Sequence, residues 1–185
     1  EDRLAIVNQG TGAGQIGVSG ANVTFGGVTI GTFAGGTNGS TPLVITFNSA
    51  TATPAAAQAL ARNITYQNVS DAPSTLARTV RFVLTDGDGG TSSAVTETIN
   101  VSAVNDIPGV TLPGSAVSYT ENAAATVIDA TATVSDLDSA DFNTGTLTVD
   151  FTANGATEDR LAIVNQGTGA GQIGISGANV TFGGL

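Results

Sequence analysis

The sequence contains no cysteine, histidine, methionine or tryptophan, and its only basic side chains are five arginines spread along 185 residues. Without thiols or imidazoles the chain cannot form disulfides, build a serine–histidine triad or hold a soft metal through sulfur or nitrogen. Scattered arginines and a formal net charge of −10 also argue against binding to nucleic acid or anionic lipid, which needs clustered basic residues. The charge balance favours cations as ligands instead.

Long apolar runs and large aromatic surfaces are also scarce. No stretch is long enough to cross a bilayer as a helix, so we expect no membrane insertion, and we expect any secretion signal to lie outside this sequence. Paired carboxylates can hydrolyse glycosidic bonds, but sugar clefts commonly carry tryptophan and tyrosine platforms, and the only such residues here are Tyr66 and Tyr119. We therefore expect a protein that is not an enzyme.

The chain does contain an internal repeat. Residues 158–184 repeat residues 1–27 with a single change, Val18 to Ile175, which sets a period of 157 residues. The conservative change indicates natural copies. We interpret the chain as one period plus an overlap, cut from a tandem array.

Short β-branched segments separated by glycine, asparagine and serine predict strands joined by tight turns. Strands are predicted at 4–7, 15–18, 22–25, 28–33, 43–47, 63–67, 78–84, 94–104, 117–119, 126–134 and 145–151. One helix is predicted, with Thr53 as N-cap and Pro54 in the first turn. The pattern indicates an all-β fold, an antiparallel two-sheet Greek-key sandwich with one short helix.

The glycines of the motif G-A-G-Q-I-G, at 12–17 and again at 169–174, match a dinucleotide-binding fingerprint. That fingerprint requires a helix to follow it, whereas a strand pattern follows here. We interpret these glycines as turn and bulge residues.

Acidic residues concentrate between Val104 and Asn143, where they flank a break in the strand pattern. They are Asp106, Glu121, Asp129, Asp136, Asp138 and Asp141. Calcium takes about six to eight oxygen ligands, and a D-x-D spacing supplies two carboxylates from one turn. The sequence therefore predicts calcium at Asp136 and Asp138, against the alternative of a solvated acidic turn. Asp141 either adds a ligand or caps the turn, and Asp129 is expected on a strand surface.

A second acidic motif, T-D-G-D-G-G at 85–90, contains Asp86 and Asp88. Asp-Gly pairs are typical of β-turns, and the same carboxylates suit calcium. Both interpretations stay open. No flanking helices are predicted, so an EF-hand is not expected.

Four motifs together resemble the cadherin-like domains of long tandem arrays in very large bacterial surface and secreted proteins. V-N-D-I-P at 104–108 is similar to the linker between domains, T-E-N at 120–122 to an early strand motif, D-L-D at 136–138 to the D-x-D loop, and 85–90 to the turn before the last strand. The resemblance covers nearly the whole period and implies an immunoglobulin-like or cadherin-like sandwich.

The resemblance also implies which residues bind Ca²⁺. Asn105, through its carbonyl group, would share one junction with Asp106, Asp136 and Asp138. The remaining ligands, for the junctions upstream and downstream, are Asp86, Asp88 and Glu121. The mid-domain D-R-E ligand motif of the family has no clear match, so we expect one or two ions per junction.

The linker implies that residues 1–106 are the C-terminal portion of one repeat and residues 107–185 the N-terminal portion of the next. Half a sandwich leaves strand edges exposed. We therefore expect residues 107–157 to complete the missing part of 1–106, either within the chain as a circular permutation or by exchange with a neighbouring molecule.

The expected function is that of a calcium-rigidified spacer in a giant extracellular, cell-surface adhesin, with neighbouring repeats as partners. The alternative is an adhesive binding module for carbohydrate or for a like domain on another cell, with glycans or other surface proteins as partners.

Overall fold

A computed structural model describes all residues, Glu1–Leu185, as two compact units, Glu1–Asp106 and Ile107–Leu185. The predicted fold class is confirmed at the coarse level, because the chain is mostly β, its strands pair antiparallel, and it has one short helix. The units divide inside the V-N-D-I-P motif; their assignment to successive repeats stays a prediction. No helix in the structure has both the length and the apolar character needed to cross a membrane.

Unit 1 is built around a four-stranded antiparallel sheet in the order β2-β3-β4-β5. Its strands are β2 (Ile16–Ser19), β3 (Asn22–Phe25), β4 (Val28–Ala34) and β5 (Val44–Phe47). The strands lie close to their predicted positions because β-branched runs alternate with glycine turns. Gly20 and Gly26, with φ of 58° and 60°, adopt the left-handed conformation that these turns need. Of the glycine motif, Gly12 and Gly14 lie in the bend and turn before β2, as predicted, whereas the prediction is wrong for Gly17, which lies within β2 opposite Thr24.

The helix α1 (Pro54–Ala61) packs against this sheet and completes the core. Thr53 is its N-cap, as predicted, and its Oγ1 accepts a hydrogen bond from the Ala56 amide at 3.3 Å. The fully buried core residues are Ile16, Val23, Ile30, Ala56 and Leu60. The core thus joins three strands to one helical face.

Two further strand pairs complete unit 1. They are β1 (Asp2–Ile6) with β6 (Ile64–Asn68), and β7 (Arg78–Phe82) with β8 (Val95–Ile99). In β7, Val80 and Phe82 are half-buried, but the strand predicted at 78–84 ends before Leu84, which is exposed. The strand predicted at 94–104 likewise ends at Ile99.

Unit 2 has two antiparallel strand pairs. They are formed by β9 (Gly109–Thr111) with β10 (Thr133–Ser135), and by β11 (Ile173–Ser176) with β12 (Asn179–Phe182). The strands predicted at 117–119 and 145–151, and most of that at 126–134, are wrong, because the alternating residues there pair with no other strand. β9 was not predicted, since three residues carry too little periodicity.

The two copies of the repeated segment fold differently. The hairpin β11-β12 reproduces the register of β2-β3, from Ile173 opposite Phe182 to Ser176 opposite Asn179. By contrast, residues 159–163, which repeat β1, form no strand. Their surroundings differ because β1 pairs with β6, and unit 2 presents no such strand.

Candidate functional site

The D-x-D loop follows directly from strand β10 and is held by an Asp-centred turn. Oδ1 of Asp136 accepts hydrogen bonds from the backbone amides of Asp138, at 3.1 Å, and Ser139, at 2.8 Å. Such turns satisfy the loop's own backbone donors. They also fix the direction of the Asp136 carboxylate, which is a prerequisite for a defined ligand position.

Asp136 and Asp138 share this turn, because the backbone amide of Asp138 donates to Oδ1 of Asp136. The Ser139 amide is the largest influence holding the pKa of Asp136 below its usual range, with the Asp138 amide and side chain acting in the same direction. Oδ1 of Asp138 is shielded from solvent. Two carboxyl groups in one turn favour a bound cation, because two neighbouring negative charges repel each other unless a cation neutralises them.

The remaining predicted ligands of unit 2 occupy separate turns. Oδ1 of Asp141 accepts a hydrogen bond from the Asn143 amide at 3.0 Å, so Asp141 caps its own turn. Glu121 is exposed in a turn closed by the Ala123 amide donating to the Thr120 carbonyl at 3.0 Å. Neither side chain is placed beside Asp136 by a local hydrogen bond.

In unit 1, Asp86 and Asp88 share the loop between β7 and β8. Oδ1 of Asp86 accepts hydrogen bonds from the amides of Asp88 and Gly90, both at 2.9 Å. The structure therefore contains the Asp-Gly turn that the sequence allowed. The turn uses only Oδ1 of Asp86 and not Oδ2. The calcium role of Asp86 therefore stays a prediction. Asp88 is exposed in the same loop.

The linker residues close unit 1. Asn105 donates through Nδ2 to the carbonyl oxygen of Asp106 at 2.7 Å, and Asp106 is half-buried. The predicted junction site would need Asn105 and Asp106 together with Asp136 and Asp138 of the other unit. That four-residue combination stays a prediction.

The donor chemistry fits a hard cation, but the carboxylates are few at any one point. The structure brings no three acidic side chains together. A calcium ion here would have to complete its roughly six to eight ligands with backbone carbonyls and water, which EF-hand and extracellular sites also use. The D-x-D loop, with two carboxyl groups in one hydrogen-bonded turn, is the best-assembled candidate.

Sequence reasoning missed a polar cluster at the β1-β6 pair. Oδ1 of Asp2 accepts hydrogen bonds from the Tyr66 hydroxyl at 2.5 Å and from Nδ2 of Asn68 at 2.7 Å, and Arg78 Nε lies 3.1 Å from Oδ2. These hydrogen bonds, led by that from Tyr66, lower the pKa of Asp2 to about 2. The partners are far apart in sequence, so only the strand register could have revealed them.

Asp129 also differs from its prediction. It lies in no strand and is half-buried. Its carboxylate accepts hydrogen bonds from the Gly114 amide at 2.8 Å, from the Thr131 amide at 2.7 Å and from the Thr131 hydroxyl at 2.6 Å. The Thr131 hydroxyl is the largest influence lowering the pKa of this carboxyl. Asp129 thus links the loop at Gly114 to the loop at Thr131, and it does not lie on the surface of a strand.

Comparison with protein-family models, with curated proteins and with solved structures finds no match to this chain.

Proposed function

We propose that this chain is a calcium-binding structural repeat of a large extracellular surface protein, and that it acts as a spacer without catalysis. The observation that carries the proposal is the Asp-centred turn after β10, which places the carboxyl groups of Asp136 and Asp138 in one loop and fixes the Asp136 carboxylate through two backbone amides. A second support is the tandem period in the sequence, which is typical of arrays.

The proposed mechanism is electrostatic. At neutral pH a chain with a formal charge of −10 repels itself, and carboxylates near a boundary between domains keep that boundary flexible. Calcium neutralises them and ties their oxygens to one point. Ligands drawn from both sides of the linker, with Asp106 on one side and Asp136 and Asp138 on the other, would then make a string of repeats rigid.

The proposed location follows from the same chemistry. Extracellular calcium modules bind with dissociation constants of about 10⁻⁴–10⁻³ M, which suits a loop with two carboxyls better than a cytosolic sensor. A cysteine-free chain outside the cell also needs a stiffening device other than disulfides. Calcium is our candidate for that device.

We further propose that a complete repeat is a two-sheet Greek-key sandwich. The four-stranded sheet of unit 1 presents one apolar face, and the β7-β8 hairpin turns Val80 and Phe82 toward the cleft that Ile45 and Phe47 also line. Two antiparallel layers facing each other across apolar side chains are the elements of a sandwich.

Calcium titration of the full chain tests the calcium proposal. We expect saturable heat on calorimetric titration and a rise in melting temperature that EDTA reverses. At a calcium concentration 100 times the dissociation constant, the free energy of unfolding of the binding unit should increase by about 2.7 kcal/mol.

The matched variants are Asp136→Asn with Asp138→Asn, and Asp150→Asn as a control acid outside the loop. The loop variant should lose the calcium response while keeping its melting temperature in EDTA, because the amide replaces the carboxylate with little change of shape. The control should respond like the parent chain. Equal calcium responses in all three chains would remove the D-x-D loop as the site.

A further inference from the structure

Unit 1 contains an open apolar cleft of about 460 Å³. It lies between strand β5 and the helix on one side and the β7-β8 hairpin on the other. The apolar side chains that line it include Ile45, Phe47, Leu60, Val80, Phe82 and Val95. Surfaces of this kind in a folded unit mark a place where another segment packs.

Residues 107–157 carry apolar side chains that are exposed and could pack against such a cleft. Exposed members of this segment include Val117, Tyr119, Val127, Leu147, Val149 and Phe151. Along the chain, this segment leads directly into residues 158–184, the second copy of residues 1–27.

The two copies show what the second one lacks. Val23 is fully buried, whereas its counterpart Val180 is 54% exposed. Phe25 packs against the core, whereas Phe182 is 63% exposed. The two copies differ only by Val18, which is Ile175 in the second copy, and this conservative change leaves the hairpin register intact, so we attribute the difference in burial to what packs around each hairpin. Residues of the body 28–106 pack on the first copy, whereas Val180 and Phe182 of the second copy are exposed in the structure.

We propose that residues 107–184 of one chain dock onto the 28–106 body of a second copy of this chain. Residues 158–184 take the place of residues 1–27, and residues 107–157 cover the apolar cleft. The partner is this same chain because the body already accepts this 27-residue sequence, and a substitute that differs only at Val18 would make the same contacts.

Two opposing effects decide whether residues 158–184 of one molecule replace residues 1–27 of another. Residues 1–27 are joined directly to the body, and such tethering acts like a local concentration on the order of millimolar for short linkers. Residues 158–184 have no tether to the body of another molecule, but they bring residues 107–157, whose apolar side chains gain a partner. Exchange should therefore grow with protein concentration. The contact is head-to-tail, so it builds closed rings or open chains of molecules according to whether the rotation between neighbours closes.

Cysteine trapping tests this register directly, because the natural chain has no cysteine. Ala5 stands opposite Thr65 in the β1-β6 pair, and the residue equivalent to Ala5 in the second copy is Ala162. Opposing residues on antiparallel strands have Cα atoms about 4.5–5.5 Å apart, within disulfide range.

The chain carrying Thr65→Cys and Ala162→Cys should form covalent oligomers on oxidation in EDTA, with the 65–162 linkage found by peptide mapping and the yield rising with concentration. The control, Thr65→Cys with Ala5→Cys, should give a cross-linked monomer. A monomeric 65–162 disulfide, or none at millimolar protein, overturns the proposal. Working in EDTA separates this result from the calcium proposal.

A second experiment uses charge to block each copy in the full chain. Val23→Asp places a carboxylate in the buried apolar core, which is unfavourable because the charge has no partner there. Residues 1–27 should therefore leave the body, and residues 158–184 of another molecule should replace them. This variant should remain cooperatively folded and should elute as oligomers. Val180→Asp should be a folded monomer.

The double variant, Val23→Asp with Val180→Asp, should lose the cooperative transition of unit 1 because neither copy can dock. If Val23→Asp unfolds as fully as the double variant, the second copy offers no replacement and the proposal fails. If Val23→Asp is rescued as a monomer, the segment folds back within its own chain, and the proposed exchange between molecules is refuted.

Discussion

The sharpest test of the fold compares the same substitution in the two copies of the repeat, Val23→Ala and Val180→Ala. Val23 is completely buried, in contact with the core of unit 1, and Val180 is 54% exposed. Deleting two buried methylene equivalents costs about 1.6 kcal/mol in transfer free energy, and the cavity left behind adds about 1 kcal/mol more. We therefore expect Val23→Ala to lower the free energy of unfolding of unit 1 by about 2–3 kcal/mol.

Val180→Ala should cost less than about 1 kcal/mol, because solvent already reaches the side chain and no closed cavity forms. For a unit of this size, about 1 kcal/mol corresponds to a shift of roughly 4–8 °C in melting temperature. The two variants should thus differ by about 10 °C or more, although they change the same residue in the same local sequence.

The measurement is denaturant unfolding at low micromolar protein, where exchange between molecules is minimal, with hydrogen exchange followed in strand β4. That strand occurs once in the chain, so its peptides are unambiguous, and it carries the buried Ile30. Equal destabilisation by the two substitutions would refute the reasoning, as would a loss below about 0.5 kcal/mol for Val23→Ala.

Two further predictions concern unit 1. The pKa of Asp2 is about 2 in the fold against an ordinary 3.8, so its stabilising effect is complete above pH about 4 and is lost as the pH falls through about 2. In melting curves recorded from pH 5 to pH 2, Asp2→Asn should remove that part of the acid sensitivity. Asp159→Asn, at the same position of the second copy, should retain it. Identical dependence of melting temperature on pH in the two variants would argue against the cluster. Gly36 has a φ of 74°, and a Cβ there would lie 2.3 Å from the Leu4 carbonyl oxygen, whereas Gly87, with a φ of 85°, faces open space. Gly36→Ala should therefore lower the melting temperature well beyond Gly87→Ala, which carries only the backbone strain of about 1–2 kcal/mol; a smaller effect at Gly36 would contradict the close approach.

Much of unit 1 could be predicted from local sequence. The strand Asn22–Phe25 and the helix capped by Thr53 were located from β-branched runs, glycine turns and an N-cap signal. These elements depend on neighbours within a few residues. The segment from 117 to 151 misled the same reasoning, because alternation marks a surface that is ready to pair and does not supply the partner strand.

The candidate site shows the same division. The turn at Asp136 was foreseeable from the D-x-D spacing, and its backbone hydrogen bonds are local. The cluster at Asp2 was not foreseeable, because Asp2 and Asn68 are 66 residues apart and meet only through the register of two strands. The same limit applies to Asp129, whose partner Gly114 is 15 residues away.

The repeated segment separates what the sequence determined from what the tertiary structure decided. Both copies form the same hairpin, β2-β3 and β11-β12, because the two strands and their glycine turn lie next to each other in the sequence. Only the first copy forms strand β1, because its hydrogen-bonding partner, β6, comes from a distant part of the chain. An extended segment needs a second segment to hydrogen-bond its backbone N–H and C=O groups. Whether it forms a strand therefore depends on the tertiary structure, which brings that second segment to it or does not.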